Sequence, residues 1–195
     1  MQQPDADLVG RSRCGDLVAY NQIVERYQSH VFNLAARILG NSSDAEDVSQ
    51  ETFISAHRAL RGFRGGSLRS WLLRIATNLC YDRIRASRRR KEQSLDQSML
   101  DPGFAGPISP DSPEQEAMRT ELRGEIQRGI LSLPVDQRAV LVMIDVPGLS
   151  YEETAQATGT SLGTVKSRLS RARGRVRNHM LQHRELLPGQ LRQRE

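Results

Sequence analysis

The chain has 195 residues, of which 37% are hydrophobic and 5% aromatic, and it carries a formal net charge of +5. That length holds one ordinary domain or two small ones, and the excess of positive charge favours a polyanionic partner. No apolar run is long enough to cross a bilayer and no secretory leader is recognisable, so we expect a cytoplasmic protein without direct membrane insertion.

The N-terminal part has helical periodicity, with apolar residues three or four positions apart. The first predicted helix covers residues 17–39 and ends at Gly40 and Asn41, which are typical of helix ends. Ser43 and Glu46 have the spacing of a capping box, which predicts the start of a second helix there. The positions that this second helix turns inward are Val48, Phe53, Ala56 and Leu60.

The second predicted helix is acidic, whereas the end of the third is basic. The acidic block consists of Asp44, Glu46, Asp47 and Glu51. A glycine-rich loop over residues 62–66 follows, and Ser67 begins the third helix. Its apolar face consists of Leu68, Trp71, Leu72, Ile75, Ala76 and Leu79. The basic cluster that follows consists of Arg83, Arg85, Arg88, Arg89, Arg90 and Lys91. Surfaces of opposite sign imply more than one partner.

The periodicity disappears between residues 93 and 113, where prolines and glycines interrupt a polar stretch. This composition predicts a flexible linker. Helical spacing then resumes, stops at Pro134, returns, and stops again at Pro147 and Gly148. No strand pattern occurs anywhere in the chain. The sequence therefore predicts an all-α protein of two small helical domains.

Residues 150–177 have the pattern of a helix-turn-helix. Ser150 and Glu153 form a second capping box, Gly159 ends the short helix, and Thr160 or Ser161 caps the next one. The inner stripe of that next helix is predicted to be Leu162, Val165, Leu169, Ala172 and Val176. Its outer face combines small residues, which allow a close approach to DNA, with flanking cations. The predicted DNA contacts are Ser161, Thr164, Lys166, Ser167, Arg168, Arg171 and Arg175. The alternative is an ordinary solvated basic face.

The sequence gives no basis for a cofactor. Cys14 and Cys80 are far apart and are expected to be free thiols. His179 and His183 lie four residues apart in a predicted helix and could hold a metal ion, but no third or fourth ligand is evident. We therefore expect no metal site and no cofactor.

Several of these motifs, in this order, resemble extracytoplasmic-function (group IV) sigma factors of bacterial RNA polymerase, within the sigma-70 family. The similar segments are residues 44–53, residues 70–78 and residues 133–173, and residues 162–168 are a close match to the family's recognition helix. The resemblance spans nearly the whole chain. It implies region 2 in residues 1–92, a linker in 93–113, region 4 in 114–182 and a polar tail in 183–195.

The resemblance implies a non-enzymatic factor that binds core RNA polymerase and directs promoter-specific initiation, under the control of an anti-sigma factor and in a stress response. Region 4 would read duplex DNA at the minus-35 element, and region 2 would melt the minus-10 element and hold a flipped base of the single strand. The polymerase contacts would be the clamp coiled coil and the flap of the large subunits. On region 2, the residues expected to meet the polymerase are Asp44, Asp47, Gln50 and Glu51.

The resemblance also implies a set of residues for the minus-10 element: Phe63, Arg64, Ser67, Trp71, Asn78, Arg83, Arg85 and Arg88. Trp71 has an alternative role as a core residue, because it lies on the apolar face of its helix. The linker acids Asp96, Asp101 and Asp111 would either suit a positively charged channel of the polymerase or belong to a plain tether.

Two other classes of function stay open from the residues alone. One is a stand-alone helix-turn-helix regulator, but it leaves the acidic helix, the glycine loop and the basic cluster without a role. The other is an enzyme, for example a nuclease, that uses the acidic block as a metal site. Metal-binding carboxylates normally converge from separate elements, whereas these lie on one helix.

Overall fold

The computed structural model describes residues 4–93 and 113–186. Within those two ranges the chain forms eight α-helices and two short 3-10 helices, and no β-strand, which confirms the all-α prediction. The helices are α1 (Asp5–Arg13), α2 (Leu17–Leu39), α3 (Ser42–Ala59), α4 (Leu68–Gln93), α5 (Pro113–Leu131), α6 (Val135–Asp145), α7 (Tyr151–Thr158) and α8 (Leu162–Leu181). The 3-10 helices are Leu60–Gly62 and Arg184–Leu186. The linker acids lie outside the described residues.

Helices α2, α3 and α4 pack around the core of the N-terminal domain. Leu34 of α2, Val48 of α3 and Leu72 of α4 are among its buried side chains. Helix α1, which the periodicity did not predict, packs on α2. Its Asp5 accepts hydrogen bonds from Arg26 and Tyr27, both at 2.5 Å.

The turn between α2 and α3 differs from the prediction. Asn41, and not Ser43, caps α3: the Asn41 Oδ1 atom accepts a hydrogen bond of 2.7 Å from the Asp44 backbone nitrogen. The capping box predicted for Ser43 and Glu46 is therefore wrong. The reason is the backbone, because Asn41 has the extended conformation of a capping residue while Ser43 is already inside the helix.

Gly40 has two reasons to be a glycine. Its φ angle is +83°, the left-handed conformation that commonly ends a helix. A Cβ atom there would also lie 2.6 Å from a methyl carbon of Leu131, a residue of the C-terminal domain. The end of α2 is thus a point of close contact between the two domains.

Helices α5 to α8 form the C-terminal domain. Its buried residues include Val140 and Met143 of α6 and Val165 and Leu169 of α8, and the two residues of α8 belong to the predicted apolar stripe. Leu162 departs from the stripe, since it is 41% exposed. It is the first residue of α8, directly after the cap, and lies ahead of the part of the helix that packs on the core.

The two domains pack against each other in this structure. The Arg138 side chain of α6 donates a hydrogen bond of 2.6 Å to the Ile38 carbonyl of α2. Arg37 and Gln127 exchange two further hydrogen bonds, of 3.1 and 3.2 Å. These contacts join residues about a hundred positions apart, so they are invisible to local sequence rules.

Candidate nucleic-acid interface

The helix-turn-helix of α7 and α8 is built as its capping residues predict. Ser150 Oγ accepts a hydrogen bond from the Glu153 backbone nitrogen, and the Glu153 carboxylate accepts one from the Ser150 backbone nitrogen, which completes the capping box. Helix α7 ends at Gly159, whose φ angle is +64°. Ser161 then caps α8 through a bond of 3.2 Å from the Thr164 nitrogen.

Replacement of Ser150 by alanine tests the importance of this cap. The loss of a capping hydroxyl costs about 1 kcal/mol, which lowers the melting temperature of a chain of this size by roughly 3 °C. Thermal unfolding followed by circular dichroism measures the shift. Ser170→Ala is the control, because Ser170 is an exposed serine inside α8. Equal melting temperatures for the two variants would contradict the role of the cap.

The outer face of α8 is exposed and basic. Lys166, Ser167, Arg171 and Arg175 are all exposed, and small residues lie between them. Ser161 and Ser167 are partly engaged within the helix, because Ser161 is the cap and the Ser167 hydroxyl donates to the Thr164 carbonyl. The face therefore offers exposed cations around a row of small residues, an arrangement that suits a DNA groove.

Arg168 differs from the other predicted cations of α8. Its Nε atom lies 3.0 Å from a carboxylate oxygen of Asp136 in α6, and its side chain is 25% exposed. It also lies close enough to Tyr81 of α4 to act on the pKa of that phenol, which is raised chiefly by burial. In this arrangement of the domains Arg168 is engaged within the protein.

A cavity of about 250 Å³ lies in the N-terminal domain beside the glycine-rich loop. Phe63 of the loop and Trp71 of α4 line it, with ring centroids 5.2 Å apart and planes inclined by 50°. Gly65 and Gly66 have φ angles near +90°, a conformation that other residues rarely adopt. The other lining residues are Gly62, Arg64, Ser67, Ser70 and Arg74, with Gln156 and Ala157 of α7.

The position of Trp71 is compatible with both of the roles that the sequence left open. It is half-buried against the hydrophobic core and also lines the cavity. Asn78 lies two turns further along α4 on a similar side of the helix, roughly 10 Å away, and is exposed. Arg64 and Ser67 are exposed at the loop itself.

The basic cluster of α4 is divided between exposed and paired residues. Arg88 is exposed, and Arg85 forms an exposed ion pair of 3.4 Å with Asp82, a contact that contributes little stability. Arg83 instead contacts the acidic block of α3, at 3.5 Å from Asp44 and 2.9 Å from Asp47. The predicted DNA contact Arg83 thus lies beside two predicted polymerase contacts.

The acidic face of α3 lies next to a groove that the sequence did not predict. Asp47, Gln50 and Glu51 are exposed, while Asp44 is half-buried. The groove, of about 430 Å³, is lined by Gln28, Ser29 and Phe32 of α2 and by Glu46, Ser49 and Gln50 of α3. In the sequence, this groove corresponds to polar residues of α2, such as Gln28 and Ser29. An analysis of apolar periodicity does not consider those positions.

One hydrogen bond joins the two domains at the edge of the cavity. The Ser70 hydroxyl of α4 donates to the Glu153 carboxylate of α7 at 2.6 Å. This bond is the largest cause of a lowered pKa of Glu153, followed by the bond from the Ser150 backbone. Glu153 therefore serves both the helix cap and the domain contact.

Among the described residues, three potential metal ligands come close together where α5 meets the end of α8. They are Glu125, His179 and His183. The acidic block of α3 does not form such a group in that part of the chain, and two of its acids pair with Arg83. Both cysteines, Cys14 and Cys80, are free thiols as expected. No helix in the described ranges has the length and hydropathy of a membrane span.

Residues 23–90 match the family model of sigma-70 region 2, and residues 123–176 match that of sigma-70 region 4. The chain belongs to the sigma-70 family. A sigma factor is a non-enzymatic subunit that directs RNA polymerase to promoters, so the chain is an initiation factor. The match to region 2 accounts for the N-terminal half, which the alternative of a stand-alone regulator left without a role.

Individual relatives agree with this assignment to the family. The sigma factor is 40% identical over 181 residues to the ECF RNA polymerase sigma-E factor of Escherichia coli K12, covering 91% of this chain and 94% of that protein. It is 36% identical over 165 residues to the ECF RNA polymerase sigma factor SigE of Mycolicibacterium smegmatis, covering 85% of this chain and 63% of that relative.

A solved structure has the same fold. It is the sigma factor RpoE of Bartonella quintana in complex with the anti-sigma factor NepR, with a TM-score of 0.68 and 26% identity. The alignment covers 83% of this chain and 96% of that one. The fold described above is therefore similar to that of a solved sigma factor.

Proposed function

We propose that this sigma factor acts in the cytoplasm, binds core RNA polymerase through α3, reads the minus-35 duplex with α8 and traps a minus-10 base beside Phe63. The observation that carries the proposal is the cavity next to the glycine loop. It combines two aromatic rings, a flexible loop and nearby exposed cations in the domain that matches region 2.

Base trapping follows from the chemistry of this cavity. Removing a base from the duplex stack costs a few kcal/mol, and stacking on an aromatic side chain returns about 1–3 kcal/mol per base. Phe63 and Trp71 supply such rings, and the exposed Asn78 amide can both donate to and accept from a base edge. We expect Arg64, Arg85 and Arg88 to hold phosphates of the same strand, with Ser67 and Arg83 as further contacts.

The contact between the two domains affects base trapping, because residues of the C-terminal domain also line the cavity. Gln156 and Ala157 of α7 line the cavity, and Glu153 holds the adjacent Ser70. Arg168, a predicted contact of α8, is engaged by Asp136. We expect the two domains to separate when the factor joins the polymerase, because separation exposes the cavity and leaves α8 accessible to a distant segment of duplex.

The acidic face of α3 supports the polymerase contact. Asp47, Gln50 and Glu51 project from the same side of an amphipathic helix, so together they present an acidic surface to a basic partner. Asp44 and Arg83 lie at its edge. The adjoining groove over α2 enlarges this surface beyond what the sequence predicted.

A charge reversal tests the polymerase contact. The double variant Asp47→Lys/Glu51→Lys is expected to lower the affinity for core polymerase at least about tenfold, because like charges would then face each other. Binding of labelled sigma factor to purified core enzyme measures the loss.

The matched control for that variant is Glu121→Lys/Glu152→Lys, which makes the same change in net charge at two exposed acids of the other domain. Its affinity for the core enzyme is expected to stay near that of the wild type. An equal loss in both double variants would instead indicate a general effect of net charge.

Control by an anti-sigma factor is part of the proposal. Two solved structures with this fold are complexes: the sigma factor RpoE with the anti-sigma factor NepR, and CnrH with the cytosolic domain of CnrY. The likeness to RpoE supports an anti-sigma factor as a partner of this chain. We expect that partner to cover surfaces that the polymerase uses.

Run-off transcription tests the function directly. Core polymerase of the source bacterium is assayed with and without the sigma factor on a library of the organism's upstream regions. Specific start sites that depend on the factor are expected, and their alignment gives both promoter elements. The absence of such starts, together with a shift of duplex DNA by the protein alone, would contradict the proposal and favour a stand-alone regulator.

A further inference from the structure

Three potential metal ligands converge between α5 and the C-terminal end of α8. Glu125 projects from α5, and His179 and His183 lie one turn apart on α8 and just after it. The Glu125 Oε1 atom lies 2.5 Å from His179 Nε2 and 3.1 Å from His183 Nε2. The three ligand atoms all lie within 4.8 Å of one another. One imidazole would suffice for an ion pair, yet two point at the same oxygen.

The surroundings fix the orientation of the carboxylate. Glu125 is only 3% exposed, so its charge needs compensation from close partners. Arg128 binds the other oxygen, Oε2, with its Nε atom at 2.8 Å, which leaves Oε1 to the two imidazoles.

Gly129 provides the room for one of the imidazoles. A Cβ atom at this position would lie 2.9 Å from the Cδ2 atom of His179, closer than real side chains approach. The glycine is buried in α5, one turn after Glu125. Its lack of a side chain leaves room for the His179 ring beside α5, where His179 Nε2 reaches the Glu125 carboxylate.

We infer that Glu125, His179 and His183 bind a Zn²⁺ ion that ties α5 to the end of α8. Two imidazole nitrogens and one carboxylate oxygen form a ligand set that zinc accepts in proteins, with water in the fourth position. Ligand bonds of about 2.0–2.1 Å place tetrahedral ligand atoms roughly 3.3 Å apart. The distance of 3.1 Å between Glu125 Oε1 and His183 Nε2 is close to this spacing. His179 Nε2 would have to move about 0.8 Å away from Glu125 Oε1 to reach it.

The position is accessible to an ion. The side chain of His183 is 38% exposed, so an ion can enter from solvent. On the far side of the same ring, a Glu185 carboxylate oxygen lies 3.8 Å from Nδ1.

The site lies at the C-terminal end of the face that is proposed to read DNA. His179 is eight residues beyond Arg171, about 12 Å along the helix, and one turn beyond Arg175, whereas base contacts are expected near the N-terminus of α8. The ion would therefore clamp the C-terminal domain and take no part in base recognition. This inference goes beyond the promoter function and does not depend on it.

Titration of the full-length protein, purified without a polyhistidine tag, tests the site. Calorimetry with ZnCl₂ is expected to show one equivalent of bound ion, and zinc at a hundred times its dissociation constant should raise the melting temperature by roughly 8 °C. His179→Ala and His183→Ala should each lose at least about tenfold in affinity. The control His57→Ala removes an exposed histidine of the other domain and should bind zinc normally.

Equal zinc affinity in the double variant His179→Ala/His183→Ala, or no saturable site in the wild type, would overturn the inference. Circular dichroism identifies any variant that fails to fold. If a variant fails to fold, the visible spectrum of Co²⁺ added to the wild-type protein tests the metal site instead. An intense band of tetrahedral cobalt supports the site, whereas the weak spectrum of hydrated cobalt contradicts it.

Discussion

Replacement of Arg171 by alanine is expected to weaken the binding of the holoenzyme to minus-35 duplex about tenfold, since one arginine contact to DNA is worth about 1–3 kcal/mol. Arg171 is exposed on the outer face of α8, next to the small residues that allow close approach. Fluorescence anisotropy with a labelled duplex measures the affinity over a series of salt concentrations. Binding to core polymerase should not change.

Arg173→Ala is the matched control for that experiment. Arg173 lies on the same helix and has the same charge, but its guanidinium contacts Asp145 of α6 at 2.6 Å. It is therefore expected to contribute much less to DNA binding. If the two variants lost the same affinity with the same change in salt dependence, Arg171 would act only through net charge and its assigned contact would be wrong.

The structure of the helix-turn-helix was predictable because its determinants are local. Ser150, Glu153, Gly159 and Ser161 act on backbone groups within four residues, so their spacing carries the information. The same rule failed at α3, where Asn41 and Ser43 are both acceptable caps. Only the extended backbone at Asn41, next to the left-handed Gly40, decides between them.

Features that depend on distant residues could not be predicted in this way. Helix α1 contributes Leu8 and Val9 to the core, too few apolar positions for a periodic signal. The bond from Ser70 to Glu153 joins residues 83 positions apart. Glu125 lies 54 positions before His179, so the pair of histidines was visible in the sequence while the third ligand was not.

In region 2, too, local features were predictable from the sequence and contacts between distant residues were not. The periodicity of α3 and α4 predicted inward positions such as Val48 and Leu72 correctly but missed the buried Leu73 and Cys80, and the remaining residues gave the acidic face and the basic cluster. It did not predict that Arg83 links the two by contacting Asp44 and Asp47. Long side chains at the boundary of two charged surfaces choose partners through tertiary geometry, which helical spacing does not encode.

Replacement of Trp71 by alanine is expected to reduce open-complex formation by a factor of about 10 to 100, because the base would lose an aromatic partner worth about 1–3 kcal/mol. Trp71 contacts Phe63 and lines the cavity, so the variant loses one wall of the proposed base pocket. Fluorescence of 2-aminopurine in the minus-10 non-template strand measures melting. Binding of α8 to the minus-35 duplex should stay at the wild-type level.

Because Trp71 also packs on the core, its role as a base contact needs a separate control. Leu79→Ala removes another partly buried side chain of α4 that does not line the cavity. If packing alone mattered, both variants would lose melting activity in proportion to their loss of thermal stability. The base-trapping role instead predicts a large melting defect for Trp71→Ala, a small one for Leu79→Ala, and partial recovery in Trp71→Phe, which restores an aromatic face to the cavity.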